Sequence, residues 1–398
     1  MKGHRLYSLL ILLTLISLPL LAGCDDEDQD CDCPDQQQNP DDDDDAAADD
    51  DDNDDNDDFV DPQHEITELT PLLDIDGSLY ARGWARRPLM VYNPEYIADA
   101  DRLRVKEWDA YIIITPEFMF GVTVSDIRIA SFISFELIDF ATGKDTTGLE
   151  LRLGSLGFLP TDLYGPIDYQ RRDNQFHLEY NEGIRTISAN FARTLLSPAW
   201  EAEISLTQDP NEEDVAAAAP YNREGTFFYE NKIVGMLASG SVTVDGKTYT
   251  FDPADSFGYL DWVRGVIPHV TKWHWGVAAG YVDGELVGFN IGDGMGESEL
   301  GTANAMKMDG VLHKLYHVYF DYDINAMMEP MRIDSDNGTF DLTLTPFYYQ
   351  TIGLMVLDLG MLVDKVYGRF SGTMIKDDGT VVQVDDLIGF VEYSEQRW

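Results

Sequence analysis

The stretch Val242-Thr243-Val244-Asp245-Gly246-Lys247-Thr248-Tyr249-Thr250-Phe251 decides the fold class. β-Branched and aromatic residues flank Asp245-Gly246 on both sides. Asp-Gly accepts the left-handed backbone of a two-residue turn, so the stretch predicts an antiparallel hairpin. The signature recurs at Asp76-Gly77, Thr142-Gly143, Asp283-Gly284, Asn337-Gly338 and Asp378-Gly379, each between runs rich in Val, Ile, Thr, Tyr and Phe. Leu103 to Ile114 alternates at first and then turns wholly apolar, as a strand entering a core does. Long helical periodicity is scarce. Asp209 to Ala219, with Pro210, Glu212, Glu213 and four alanines, reads as a short helix or insertion near a domain boundary. Many strands at short spacing predict an all-β chain with two tandem antiparallel barrel or sandwich domains, over 63–225 and 226–398. Aromatic residues make up 12% of the chain, enough to fill large barrels, and such a barrel can enclose one small apolar ligand.

Upstream of this body, an apolar run from Leu6 to Ala22 follows the basic Lys2 and Arg5 and ends in Leu21-Ala22-Gly23-Cys24. Positive start, apolar middle and small residues before a cysteine resemble a bacterial lipoprotein signal over 1–23, with cleavage before Cys24. The run is about 17 residues, at the lower limit for a spanning helix, and aspartates rather than basic residues follow it. Acyl chains on Cys24 would anchor the chain stably to a membrane, at the cell envelope. Residues 25–62 hold 20 Asp, one Glu and no Lys or Arg. The whole chain carries −46, which leaves −27 on 63–398 once the 21 acids here and the two basic residues of the signal are set aside. Segment 24–62 cannot bury enough apolar surface to order itself, so it reads as an extended tether. Asp41–Asp45 and Asp49–Asp58 lack the fixed turn and distal bidentate Glu of a calcium loop, so loosely held cations are expected there. The acidic balance argues against nucleic acid as a partner. Of three cysteines, Cys31 and Cys33 lie in the tether and none in the body, which excludes disulfide staples, a Cys-based zinc site and a cysteine nucleophile there. A membrane-spanning barrel is disfavoured by charged strand positions and by the lack of a regular 10-residue spanning pattern.

Chemistry-bearing residues are densest from Gly258 to Gly296, with Asp261-Trp262-Val263-Arg264-Gly265, Trp273-His274-Trp275-Gly276 and Gly288-Phe289-Asn290-Ile291-Gly292-Asp293-Gly294. Together with Gly83-Trp84-Ala85-Arg86, Lys106-Glu107-Trp108-Asp109, Asn304 after Thr302, Gly368-x-Phe370-Ser371-Gly372, Gly389-x-x-Glu392 and Arg397-Trp398, these segments make the body resemble the bacterial domain-of-unknown-function family 2804. That family implies no established activity. More distantly, Gly240-x-Val242, Asp245 to Tyr249, Gly258 to Trp262 and Trp273-x-Trp275 look like the hydroxyneurosporene synthase (carotenoid hydratase) and AttH-like group. The resemblance implies two lipocalin-like barrels and acid-catalysed hydration or cyclisation of polyenes, with Asp261 at the proton donor's position. The group has Asp-His or Asp-Glu followed by x-Trp-Gly; here the pattern is Asp-Trp-Val-Arg-Gly, so Arg264 stands where that tryptophan would be.

Protonating an alkene needs a carboxylic acid kept neutral by an apolar pocket, and the resulting cation needs aromatic faces. Asp261 with Trp262, Trp273 and Trp275 could supply both. Alternatively, Arg264 pairs with Asp261 as a buried structural ion pair and the tryptophans fill a core. Trp108, Arg264 and Glu392 complete the candidate ligand-binding set, and Glu107, Asp109, Arg86 and Lys106 read as interior polar groups. His313 and His317 are four apart but lack the glutamate at 314 of a helical zinc motif, and no metal or cofactor is expected. Asp334-x-Asp336-Asn337-Gly338 starts like a calcium loop but ends on Thr345, so a hairpin turn is expected. The leading expectation is a hydrophobic or amphiphilic small molecule, a lipid or isoprenoid, held in a barrel cavity. The alternatives are an acid-catalysed hydratase, isomerase or cyclase using Asp261, and a structural or protein-contacting envelope component.

Overall fold

The hairpin that announces the fold class forms as its sequence dictates: Val244 pairs with Lys247 across Asp245 and Gly246, whose φ angles are +50° and +83°. The computed structural model describes residues 63–398 apart from Leu156, Phe158, Leu196 and Leu357. Segment 1–23, Cys24, Cys31, Cys33 and the aspartate tether lie outside the described residues. The described chain is all-β, and its two large sheets are antiparallel and curled.

The first sheet runs from the edge Lys144–Leu153 through Ala130–Asp139, Phe118–Asp126, Val105–Ile114, Phe257–Val266, Phe227–Val244, Trp200–Thr207, Ile184–Phe191 and Asn174–Asn181 to Ile167–Arg171. Side chains bridge its two edges. The Tyr169 hydroxyl and the Asn174 amide donate to Glu150, and Arg171 Nη1 lies 2.9 Å from Glu150 Oε1, so the sheet curls back on itself. The second sheet joins nine strands, with Val270–Val282, Val381–Arg397, Leu359–Ile375 and Phe340–Val356 as its long central members.

The chain passes from the first sheet to the second between Val266 and Val270. A division at 225/226 would cut the first sheet, because Phe227–Val244 pairs with Trp200–Thr207 on one side and Phe257–Val266 on the other. Long-range pairing sets this, and turn spacing does not encode it. The helical alternative for 209–219, read as a short helix or insertion, is also corrected. Asp209–Glu212 is a turn, and Val215–Pro220 is a strand between Gly83–Ala85 and Phe227–Val244. Alanine's helix propensity yields to two neighbouring backbones; the strand is buried, and its small side chains allow close packing.

Alternation along the strands sorts side chains into three layers. Leu260, Trp262 and Val266 face the core of the first sheet, whereas Phe257 and Tyr259 face a layer shared with Trp275, Val277, Tyr367 and Phe390 of the second. Val287, Phe289, Leu344 and Phe370 belong to the second sheet's own core. Rings occupy the middle of the first sheet: Phe135 lies 5.3 Å from Trp200 and 4.8 Å from Phe191.

Candidate functional site

Asp261 and Trp262 are consecutive in an extended strand, so they point to opposite faces. Asp261 lies in the layer between the sheets. Its Oδ1 is 2.5 Å from Lys232 Nζ, and its Oδ2 accepts a hydrogen bond from Trp108 Nε1 at 2.9 Å. Lys232 also lies 3.0 Å from Glu230 and sits over the Trp275 ring at 4.9 Å. Register explains the meeting: Lys232 is directly across from Asp261 on the neighbouring strand. Burial alone would push the Lys232 ammonium down, but Asp261 and Glu230 outweigh it and hold its pKa above the ordinary value. Burial raises the Glu230 pKa, with Lys232 opposing.

The second sheet faces this cluster with Trp273, Trp275 and Glu392. Trp273 Nε1 donates to Glu392 Oε1 at 3.2 Å, and Lys365 Nζ lies 2.9 Å from Glu392 Oε2. Trp275 Nε1 donates to Asn290 Oδ1 at 2.8 Å. Gln350 Nε2 reaches across to Glu136 Oε1 at 2.5 Å and Asp145 Oδ2 at 2.8 Å. Burial raises the Glu136 pKa, with Lys365 opposing. Trp108 stacks on Trp398, their centroids 6.2 Å apart. Asp261, Trp108, Trp273, Trp275 and Glu392 therefore share one layer.

Trp262 and Arg264 do not join them. Both face the first sheet's interior, where Arg264 Cζ lies 3.9 Å from the Trp262 ring centroid and Tyr229 meets that ring edge-on at 5.2 Å. An Arg264–Asp261 pair is thus corrected: Arg264 Nη1 is 2.7 Å from Asp109 Oδ1 and also donates to the Trp108 carbonyl, while Nη2 donates to the Pro160 carbonyl. Residues three apart on a strand lie on opposite faces, which forbids the pair. Glu107, on the same inner face as Asp109, accepts from the Tyr92 hydroxyl and lies 2.6 Å from Arg128 Nη2. Burial raises the pKa of both Glu107 and Asp109 against the pull of Arg264.

A cleft of about 380 Å³, counting its part open to solvent, lies at one end of the first sheet. Arg87, Pro88, Tyr164, Tyr180, Arg185 and Asp214 are among its lining residues. The Arg185 side chain is 1% exposed; its Cζ is 4.8 Å from the Tyr180 centroid and 5.7 Å from that of Tyr164. Asp214 accepts from Gln208 at 2.7 Å and lies 3.4 Å from Lys307 Nζ, and burial raises its pKa. A smaller cavity beside Asp214 is lined also by Lys232, Asn290 and Lys307, so polar side chains extend from the cleft towards Asp261.

Sequence reasoning missed Lys232, Lys365, Arg185 and Asp214. A signal existed for the first: Glu230-Asn231-Lys232 interrupts the apolar run between Phe227 and Leu237, and a charge there needs a partner. Arg185 lacked one, since it follows a polar turn. Of the histidines, His313 lies 3.2 Å from Asp377 and His317 3.3 Å from Glu299. His274 stacks on Phe320 at 5.0 Å, bonds the Tyr322 hydroxyl, and has its pKa lowered by burial.

The chain belongs to the family described as Domain of unknown function (DUF2804), whose model matches residues 63–398. No curated protein matches it. Among solved structures it is similar to an AttH protein of Nitrosomonas europaea, at 14% identity over 76% of this chain and 95% of that one, with a TM-score of 0.44. It is also similar to kievitone hydratase of Nectria haematococca, at 13% identity over 74% and 88% of the two chains, with a TM-score of 0.43. A third likeness is CghA with Sch210972, at 8% identity over 74% and 88%, with a TM-score of 0.38.

Proposed function

We propose that this DUF2804 chain binds a small amphiphilic molecule and does so in the Arg185 cleft rather than in the middle of the first sheet. The observation that carries this reading is the cleft itself, which combines Tyr164, Tyr180 and Pro88 with a buried guanidinium. Arg87, Gln208, Asp209, Glu212 and Asp214 also line it, so charged and polar groups would orient a ligand whose apolar part meets the tyrosines and prolines. In the interior of the first sheet the Phe135 and Trp200 rings stack on each other, 5.3 Å apart. Native mass spectrometry of the purified full chain, followed by solvent extraction, tests the reading. A co-purifying organic molecule that is lost on filling the cleft with Pro88→Trp supports it; retention of that molecule by the variant refutes it.

A second reading, acid-catalysed hydration, isomerisation or cyclisation, draws support from the layer between the sheets. Burial raises the pKa of Glu230, beside Asp261, and of Glu136, beside Lys365 and Gln350, and a raised carboxyl can hold the proton such chemistry transfers. Both oxygens of Asp261 accept hydrogen bonds, from Lys232 and Trp108, so the donor in this reading is Glu230. Turnover of a co-purified polyene that survives both Glu230→Gln and Asp261→Asn would eliminate it.

The same proposal places the protein at the cell envelope. Its support is the order of Lys2 and Arg5, the apolar run, and Leu21-Ala22-Gly23-Cys24. Lipid on Cys24 would hold the body to a membrane, with the aspartate tether as spacer and loosely held cations around it. Cys24→Ala should release the protein from the membrane fraction and abolish incorporation of labelled fatty acid.

A further inference from the structure

The Arg185 guanidinium carries more hydrogen-bonding capacity than its protein surroundings use. It is buried, yet Nε and Nη2 make no hydrogen bond among the described residues. The Tyr180 and Tyr164 rings pack against the group, so it is held in place. The nearby carboxylates are committed elsewhere, Asp109 to Arg264 and Asp214 to Lys307 and Gln208. Leaving buried donors unmet is costly, and a charged donor more so. Nε–H and the adjacent Nη2–H form the parallel pair of a guanidinium's long edge, which matches the two oxygens of a carboxylate.

The walls narrow the choice of anion. Tyr164 and Tyr180 lie 4.6 Å apart over the guanidinium, and Pro88 and Pro210 add apolar surface. Asp209, Glu212 and Asp214 line the same cleft, so a phosphate dianion would be repelled more strongly than a single planar carboxylate. Resting on the small-molecule reading of this cleft, we propose that the ligand is an organic carboxylic acid: its carboxylate meets the Nε–Nη2 edge of Arg185, and its ring or hydrocarbon part lies against Tyr164, Tyr180, Pro88 and Pro210.

Calorimetric titration of the full chain with benzoate, benzyl alcohol and inorganic phosphate tests the assignment. Benzoate should bind at least tenfold more tightly than either of the others. Arg185→Lys, which keeps the charge and loses the fork, should weaken benzoate at least tenfold. Tyr164→Ala, at a half-exposed loop position, should weaken it several-fold and keeps the test valid if the Arg185 variant fails to fold. Equal binding of benzoate and benzyl alcohol would overturn the carboxylate assignment while leaving the cleft as a binding site. Tighter binding of phosphate, or benzoate binding unchanged in both variants, would overturn it as well. If none of the probes binds, the assignment and the cleft reading fall together.

Discussion

Replacing Lys232 by methionine keeps most of the side-chain volume and removes the cation between Asp261 and Glu230. The ammonium lies 2.5 Å from one carboxylate and 3.0 Å from the other, and its side chain is 8% exposed. At such separations each attraction is on the order of 5 kcal/mol at an effective dielectric of about 20. Desolvation offsets much of that in the intact cluster, and deleting one partner of a buried pair costs about 3–5 kcal/mol. For a body of this size that corresponds to a melting point lower by roughly 4–7 °C. The loss should depend on pH in a definite direction. Burial already raises the Glu230 pKa, and without Lys232 it rises further. A carboxyl whose folded pKa lies above its unfolded value, about 4.3, stabilises the fold less as pH climbs through that window. The penalty should therefore be small near pH 5 and full at pH 8. Thermal melts of the full chain followed by circular dichroism measure both. A second substitution, Glu230→Gln, should restore part of the stability at pH 8. An equal drop at both pH values would show that the lysine stem's packing matters and its charge does not. No drop at either would refute the buried cluster altogether.

Three further outcomes follow from the geometry. Gly389→Ala would place a Cβ 2.1 Å from the Val277 carbonyl oxygen, so the central pairing of the second sheet must shift; a loss of about 3 kcal/mol or more in urea melts is expected, and a neutral result would contradict the close approach. Burial lowers the His274 pKa, so the folded state resists the proton that the unfolded chain takes up below about pH 6.5; stability present above that pH is lost on acidification, and His274→Phe should flatten the curve between pH 7.5 and 5.5. Arg264→Met should destabilise by about 3–5 kcal/mol by stranding Asp109, and adding Asp109→Leu should recover most of it; failure to recover would mean that the arginine's bonds to the Trp108 and Pro160 carbonyls dominate.

The sequence alone determined the all-β class, because its warrant is local. Asp245-Gly246 and Asp283-Gly284 adopt the positive φ angles that short hairpins demand, and such turns need nothing distant. The opening alternation and apolar end of Leu103–Ile114 also marked Val105–Ile114 as a strand entering the core. Applied strictly, alternation by itself separates Asp261 from Trp262 and Arg264, since neighbours and residues three apart oppose each other on a strand. What faces each side was not legible. Lys232 is 29 positions from Asp261, Trp108 is 153 positions from it, and Arg185 meets the cleft walls Pro88 and Pro210 only through folding. Val215–Pro220 shows the same limit from the other side: four alanines carry a helical propensity of a few tenths of a kcal/mol each, and pairing with two strands overrides it. Turn chemistry acts between neighbours and is written in the chain. Partner choice for a buried charge depends on which strands lie side by side and which faces meet, and the packed tertiary structure alone decides that.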